Sequence, residues 1–250
     1  MTVETGKKTI IDELFKAGAH FGFVKARRHP SAKPFLFGTK DKIEIFDLEK
    51  TSVELEKVMS FMEEKGREET NVMFVGGKNE AREATRKTAE SLEMPYVAGR
   101  WIGGTLTNFT EIKKRLGRLE ELTSQKEKGE LSKYTKKERL LIDRDIDKLT
   151  LYFGGLVGMK SIPKFLVVID PKKESIAVSE AKTVGIPVVA LAGSDCNLHG
   201  VNLVVPGNDS SRQSISLFLN KLAESYKKGL VEAEKKKAEG DTTNTTEQSN

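Results

Sequence analysis

Cysteine is almost absent from this sequence. Cys196 stands alone, which rules out an internal disulfide or a Cys-cluster zinc site and fits a reducing compartment. Histidine is nearly as scarce: His20, His29 and His199 are too scattered for a metal motif. A catalytic Cys196–His199 pair would also need a base-orienting group that the sequence does not show. Long apolar runs are missing too, with no stretch near the ~20 residues of a membrane span. MTVETGKKTIIDELFKAG lacks the positive region, apolar block and small-residue cleavage site of a secretory signal, so a cytoplasmic protein is expected.

What the chain has in quantity is charge. Of its 250 residues, 32% are charged and 37% hydrophobic, the net charge is +5 and the pI about 9.0. This is a soluble globular composition with an unusually charged surface. Cations gather in KARRHPSAK (25–33), KKRLGR (113–118) and KYTKKERL (133–140). One such cluster is an ordinary solvated face, but three beside glycine and proline turns favour a polyanionic partner.

The hydrophobic periodicity predicts an α/β protein. TIIDELFKAG reads as a short amphipathic helix with Thr9 as cap and Gly18 as stop, and FLFGTKDKIEIFDLEK as two strands around GTKDK. Val53, Leu55, Val58, Met59 and Met62 mark a helix over 51–66, ended by Gly66. NVMFVG, MPYV, KFLVVID, IPVVALAG and NLVVPG then follow as short apolar runs, most of them separated by helical segments. Strands buried on both faces imply a doubly wound parallel sheet. Between 105 and 159 the pattern changes: Phe109, Ile112, Leu116, Leu119 and Leu122, then Ile142, Ile146, Leu149 and Phe153, form two narrow seams. An antiparallel helical hairpin is expected there, inserted into an α/β domain of residues 1–104 and 160–228, with a polar, disordered tail over 229–250.

Several stretches invite a chemical reading. In FVGGKNEA, Gly76 and Gly77 lie between a strand and a helix and could cradle a phosphate. Their spacing matches neither G-x-G-x-x-G nor G-x-x-x-x-G-K-[ST], and an ordinary tight turn explains them. FGGLVGMK reads as the hinge returning the hairpin to the body, and the Asp170-Pro171 pair as a turn. Asp195, Asp209 and His20 could meet at the strand ends and hold an ion. The most unusual stretch is AGRWIGGTLTNF (98–109). Arg100 and Trp101 can offer phosphate contact and stacking, Gly103 and Gly104 close approach, and Asn108 a cap for the next helix. The basic sequel KKRLGR suits a folded RNA surface, where affinity comes largely from phosphates and shape.

Beyond these readings, the chain resembles a known family. AGAHFGF, RRHPSAKPFLFG, IFDLEKT, FVGGKNEA, MPYVAGRWIGGTLTNF, FGGLVGMK, GIPVVAL and PGND occur in the order seen in the ribosomal protein S-two family, bacterial type, over residues 9–228. The resemblance implies a flavodoxin-like sheet with an inserted coiled-coil hairpin, no catalysis and no cofactor. It also implies a place on the small subunit near its neck, contacts to small-subunit (16S) ribosomal RNA and neighbouring small-subunit proteins, and help in anchoring ribosomal protein S-one. The chain departs from the family at Gly22-Phe23, at Arg28-His29-Pro30 and in GSDCNLHG.

The expected RNA-contacting residues are Arg27, Arg28, Lys33, Arg100, Lys113, Lys114, Arg115 and Arg118, with Trp101 supporting the loop or stacking. Two rival readings stay open. One is a nucleotide-binding enzyme or switch at Gly76 and Gly77, the other a helical adaptor that binds only protein.

Overall fold

In a computed structural model, residues 10–246 are described, with side chains to residue 236. Helix α1 (residues 10–16) is followed by Gly18 in the left-handed region, φ +70°; Thr9, its expected cap, lies outside the described residues. Strands β1 (Phe21–Val24), β2 (Leu36–Lys40) and β3 (Ile43–Phe46) form a small antiparallel sheet in the order β1-β3-β2. Helix α2 (Leu48–Arg67) begins at Asp47, whose carboxylate accepts from the Glu49 amide at 3.1 Å.

The main sheet follows: β4 (Val72–Val75), α3 (Asn79–Glu90), β5 (Tyr96–Val97), β6 (Phe165–Ile169), α6 (Ser175–Val184), β7 (Val188–Ala192) and β8 (Leu203–Pro206). Its five parallel strands lie in the order β5-β4-β6-β7-β8, the arrangement of flavodoxin-like sheets. Both faces are covered, which is why the strands read as unbroken apolar runs. Val72, Phe74, Phe165 and Val167 face one core with α1, α2, α3 and the last helix, α7 (Arg212–Thr246). Met73, Val75, Leu166 and Val168 face the other, with α6 and the inserted helices. Each such fully buried side chain contributes about 1.5–3 kcal/mol.

The insertion is the pair α4 (Phe109–Glu127) and α5 (Lys136–Phe153). Ile112, Leu116, Leu119 and Leu122 on the first pack in one cluster with Ile146, Leu149 and Phe153 on the second. Between them Gly129 takes φ +71°, and Thr135 and Glu138 form a reciprocal capping box that starts α5.

Two glycines let the second and last helices cross closely. Gly66 lies in the last turn of α2, one residue before its end as the periodicity expects, and is buried where the last helix crosses. A Cβ there would run into the Tyr226 carbonyl, and one on Gly229 into the Glu63 carbonyl. Helix α7 therefore continues through the segment where composition places a disordered tail. Leu230 and Ala233 carry its apolar seam onward, and Glu232 reaches Arg67 of α2 at 2.6 Å. Residues 247–250 lie outside the described residues. Because backbone, not a flexible side chain, blocks the added methyl, Gly229→Ala is expected to lower stability by about 2–3 kcal/mol, read as a shifted urea midpoint. An unchanged midpoint would mean that the helices part without cost.

Candidate nucleic-acid interface

The loop Trp101–Asn108 is built around a buried carboxylate from a distant helix. Glu180 on α6, 8% exposed, accepts from Trp101 Nε1 (3.1 Å), the amides of Gly104 (2.7 Å), Leu106 (3.0 Å) and Thr107 (3.3 Å), and the Thr107 hydroxyl (3.3 Å). Gly104 reaches this arrangement at φ +91°, a conformation that favours glycine. Burial alone would raise the carboxyl of Glu180, but the bonds from Leu106, Gly104, Trp101 and Thr107 outweigh it and its pKa lies below the ordinary value. Trp101 is 5% exposed, so its indole supports the loop rather than offering a face to a base. Asn108 does not cap α4, for its side chain makes no cap hydrogen bond.

This rigid loop sets the direction of α4 and with it the cations. Arg100, Lys113, Lys114, Arg115 and Arg118 are exposed. Lys114 pairs with Glu111 (2.6 Å) and Arg118 with Glu121 (3.1 Å); such exposed pairs are weak and open readily to a phosphate. Arg115 meets residues that charge clusters in sequence did not single out. Arg144 and Lys148 of α5 lie across the seam from α4, Lys148 lining one cleft with Arg115 and both lining another with Arg118.

The 25–33 cluster divides. Arg27 and Lys33 are exposed, whereas Arg28 is committed to Glu44, 1% exposed, at 3.1 Å. His29 Nδ1 accepts from the Ser31 amide (3.3 Å), and Ser31 Oγ accepts from the Leu198 amide (3.0 Å). These bonds pin the basic loop to the segment after β7.

At the carboxyl ends of β4 and β6, where sheets of this order place ligands, the chain has filled the position itself. The Gly77 amide donates to Glu174 Oε1 at 3.1 Å, so the amide that a phosphate would use already carries a carboxylate. Lys78 Nζ lies 2.8 Å from Asp170 and 3.2 Å from Asp209, with the Phe23 ring 5.6 Å away. Burial, followed by the Asp170 charge, pushes Asp209 up to about 6 against the pull of Lys78. Burial also holds the Cys196 thiol protonated, with Asp209 and Asp170 adding to the effect.

The ion site that His20, Asp195 and Asp209 could have formed does not assemble among the described residues. His20 stacks on Phe15 at 4.6 Å and tilts against Phe21 at 4.1 Å, while Asp195 pairs with Lys172 at 2.7 Å. Asp170, Cys196 and Asp209 do bring ligand-type atoms within 4.8 Å of one another, but the Lys78 ammonium already balances both carboxylates.

A second surface went unread in the sequence. Phe15 (60% exposed), Phe21, Val24, Phe37 (83% exposed) and Ile43 place large apolar side chains outward on and beside the small sheet. Patches of this kind mark interaction sites. The alternation of β3 was a usable signal, since Glu44 and Phe46 are buried and Ile43 beside them is exposed.

Comparison with known proteins agrees with this architecture. A family model described as Ribosomal protein S2 matches residues 14–229. The chain is 40% identical over 217 residues to the small ribosomal subunit protein uS2 of Geotalea uraniireducens, covering 87% of this chain and 85% of that protein. It is 39% identical over 219 residues to the protein of the same name from Coprothermobacter proteolyticus, covering 88% and 82%. With the one from Helicobacter hepaticus it shares 40% over 220 residues, covering 88% and 83%. The protein thus belongs to the Ribosomal protein S2 family, whose members are structural proteins of the ribosome and not enzymes.

Proposed function

We propose that this protein is a structural constituent of the small ribosomal subunit in the cytoplasm. It binds small-subunit ribosomal RNA through the α4–α5 pair and the loop before it, and it supports assembly and initiation by helping to anchor ribosomal protein S-one. The observation that carries the reading is the pair itself. Its apolar seam is satisfied internally, and its outward faces present Arg115, Arg118, Arg144 and Lys148 from both helices. Leu140, Leu141 and Leu151 of α5 are exposed as well, so it is the cations gathered from both helices, and not a lack of apolar side chains, that favour RNA over a protein-only adaptor. Arg100, Arg27 and Lys33 extend the cationic surface, while the aromatic side chains on and beside β1 and β2 suit a protein neighbour.

The test is incorporation into small subunits on a sucrose gradient, in competition with wild type. Arg115→Glu with Arg118→Glu is expected to reduce occupancy at least ~10-fold and to lower the slope of log affinity for the RNA against log salt by about 2, one for each phosphate left without its cation. Phe21→Ser with Phe37→Ser is expected to keep RNA binding and lose ribosomal protein S-one from the particle. Equal occupancy of the charge-reversed protein would defeat the reading.

A further inference from the structure

A cleft of about 460 Å3 opens where α4 and α5 leave the α/β body. The half-buried Ile102 and Tyr152 line it together with the exposed Asn108, Arg115, Asp145 and Lys148. Among the described residues, the ion pairs of the two helices join Lys114 to Glu111, Arg118 to Glu121 and Lys126 to Asp143. Arg115, Asp145 and Lys148 belong to none of them. Asn108 stands at the start of α4, yet its carboxamide makes no cap bond, so its donor and acceptor both remain for a ligand.

An aromatic ring with an apolar side chain, a free carboxamide and two free cations together match one unstacked nucleotide. The base lies against Tyr152 and Ile102, and the phosphate meets Arg115 and Lys148. The acids argue for a base as well as a phosphate. Glu111, which also lines the cleft, is neutralised by Lys114 at 2.6 Å, while the Asp145 carboxylate can only accept hydrogen bonds. It therefore accepts from an N–H donor on the edge of the base.

We propose that this cleft takes a single nucleotide extruded from a folded RNA. The inference rests on the RNA-binding reading above and adds to it a base-reading pocket, where phosphate contacts alone would carry no sequence information.

The test titrates full-length protein against small-subunit ribosomal RNA across a salt series. Tyr152→Ala is expected to lose about tenfold in affinity, by the loss of one stacked base, and the exposed Asn108→Ala about fivefold. Neither should change the salt slope. Tyr152→Phe should bind as wild type does, and ultraviolet irradiation should crosslink a nucleotide at residue 152. Wild-type affinity in both alanine variants, a loss expressed only as a shallower salt slope, or a crosslink from the cleft to protein would each overturn the pocket and leave RNA binding standing. Absence of any salt-sensitive RNA binding by the wild type would instead remove the RNA-binding reading, and the pocket with it.

Discussion

Glu180→Ala is expected to lower stability by on the order of 4 kcal/mol, because it strips a common acceptor from five donors at once. Two of those donors, the Trp101 indole and the Leu106 amide, are buried and have nowhere else to turn. Glu180→Gln should cost about half as much, since its carbonyl oxygen still accepts while its amide nitrogen faces donors. The pH dependence separates this from a simple cavity effect. A carboxyl whose native pKa lies below its unfolded value of about 4.3 contributes stability above that value and loses it as pH falls through the native one. The gap between wild type and Glu180→Gln in urea midpoint should therefore be full at pH 7 and close in acid. A gap that stayed constant down to pH 3 would show that shape, not charge, holds the loop. The functional consequence is direct, because this loop aims α4. Glu180→Ala should also impair RNA binding with every cation intact.

The sheet and the helix pair were legible in the sequence for a simple physical reason: each is specified by local periodicity. Five apolar runs became the five main strands, and the two seams read at 105–159 belong to helices whose buried faces are those seams. Contacts made across the chain were not legible. Arg28 read as one more surface cation because its partner Glu44 lies on β3, beyond the β2–β3 turn. The loop Trp101–Asn108 looked like a partner-binding device because the group it actually wraps is about 75 residues away. One signal was available there. Glu180 shares a helical face with Ala177 and Ala181, both fully buried, and a carboxylate on an apolar face must find donors. Composition misled at the tail as well. The segment after Gly229 is rich in charge, but the spacing of Leu230 and Ala233 continues the α7 seam along α2.

Lys78→Met is the other large effect expected, and it bears on the unused ligand position at the switch point of the sheet. The ammonium balances Asp170 and Asp209, whose side chains are 10% and 1% exposed. Removing one partner of such a set leaves charge buried without compensation, at a cost on the order of 4 kcal/mol at pH 8. The sign of the pH dependence is fixed by Asp209. Its native pKa of about 6 lies above its unfolded value of about 3.9. Its contribution is thus favourable in acid and is lost as pH rises through about 6. Without Lys78 the native value rises further, so the loss extends to higher pH. Lys78→Met should then be only mildly unstable at pH 5 and markedly so at pH 8. Adding Asp209→Asn, which deletes the more deeply buried charge, should restore much of the stability at pH 8, a coupling that a double-mutant cycle would measure. If the single variant were equally unstable at both pH values and the second change failed to rescue it, Lys78 would be acting through its hydrogen bonds to the Asp209 carbonyl and Ser210 and its place over the Phe23 ring rather than as counter-ion. If the charge account holds, this position in the chain is a sealed ion cluster rather than a ligand site.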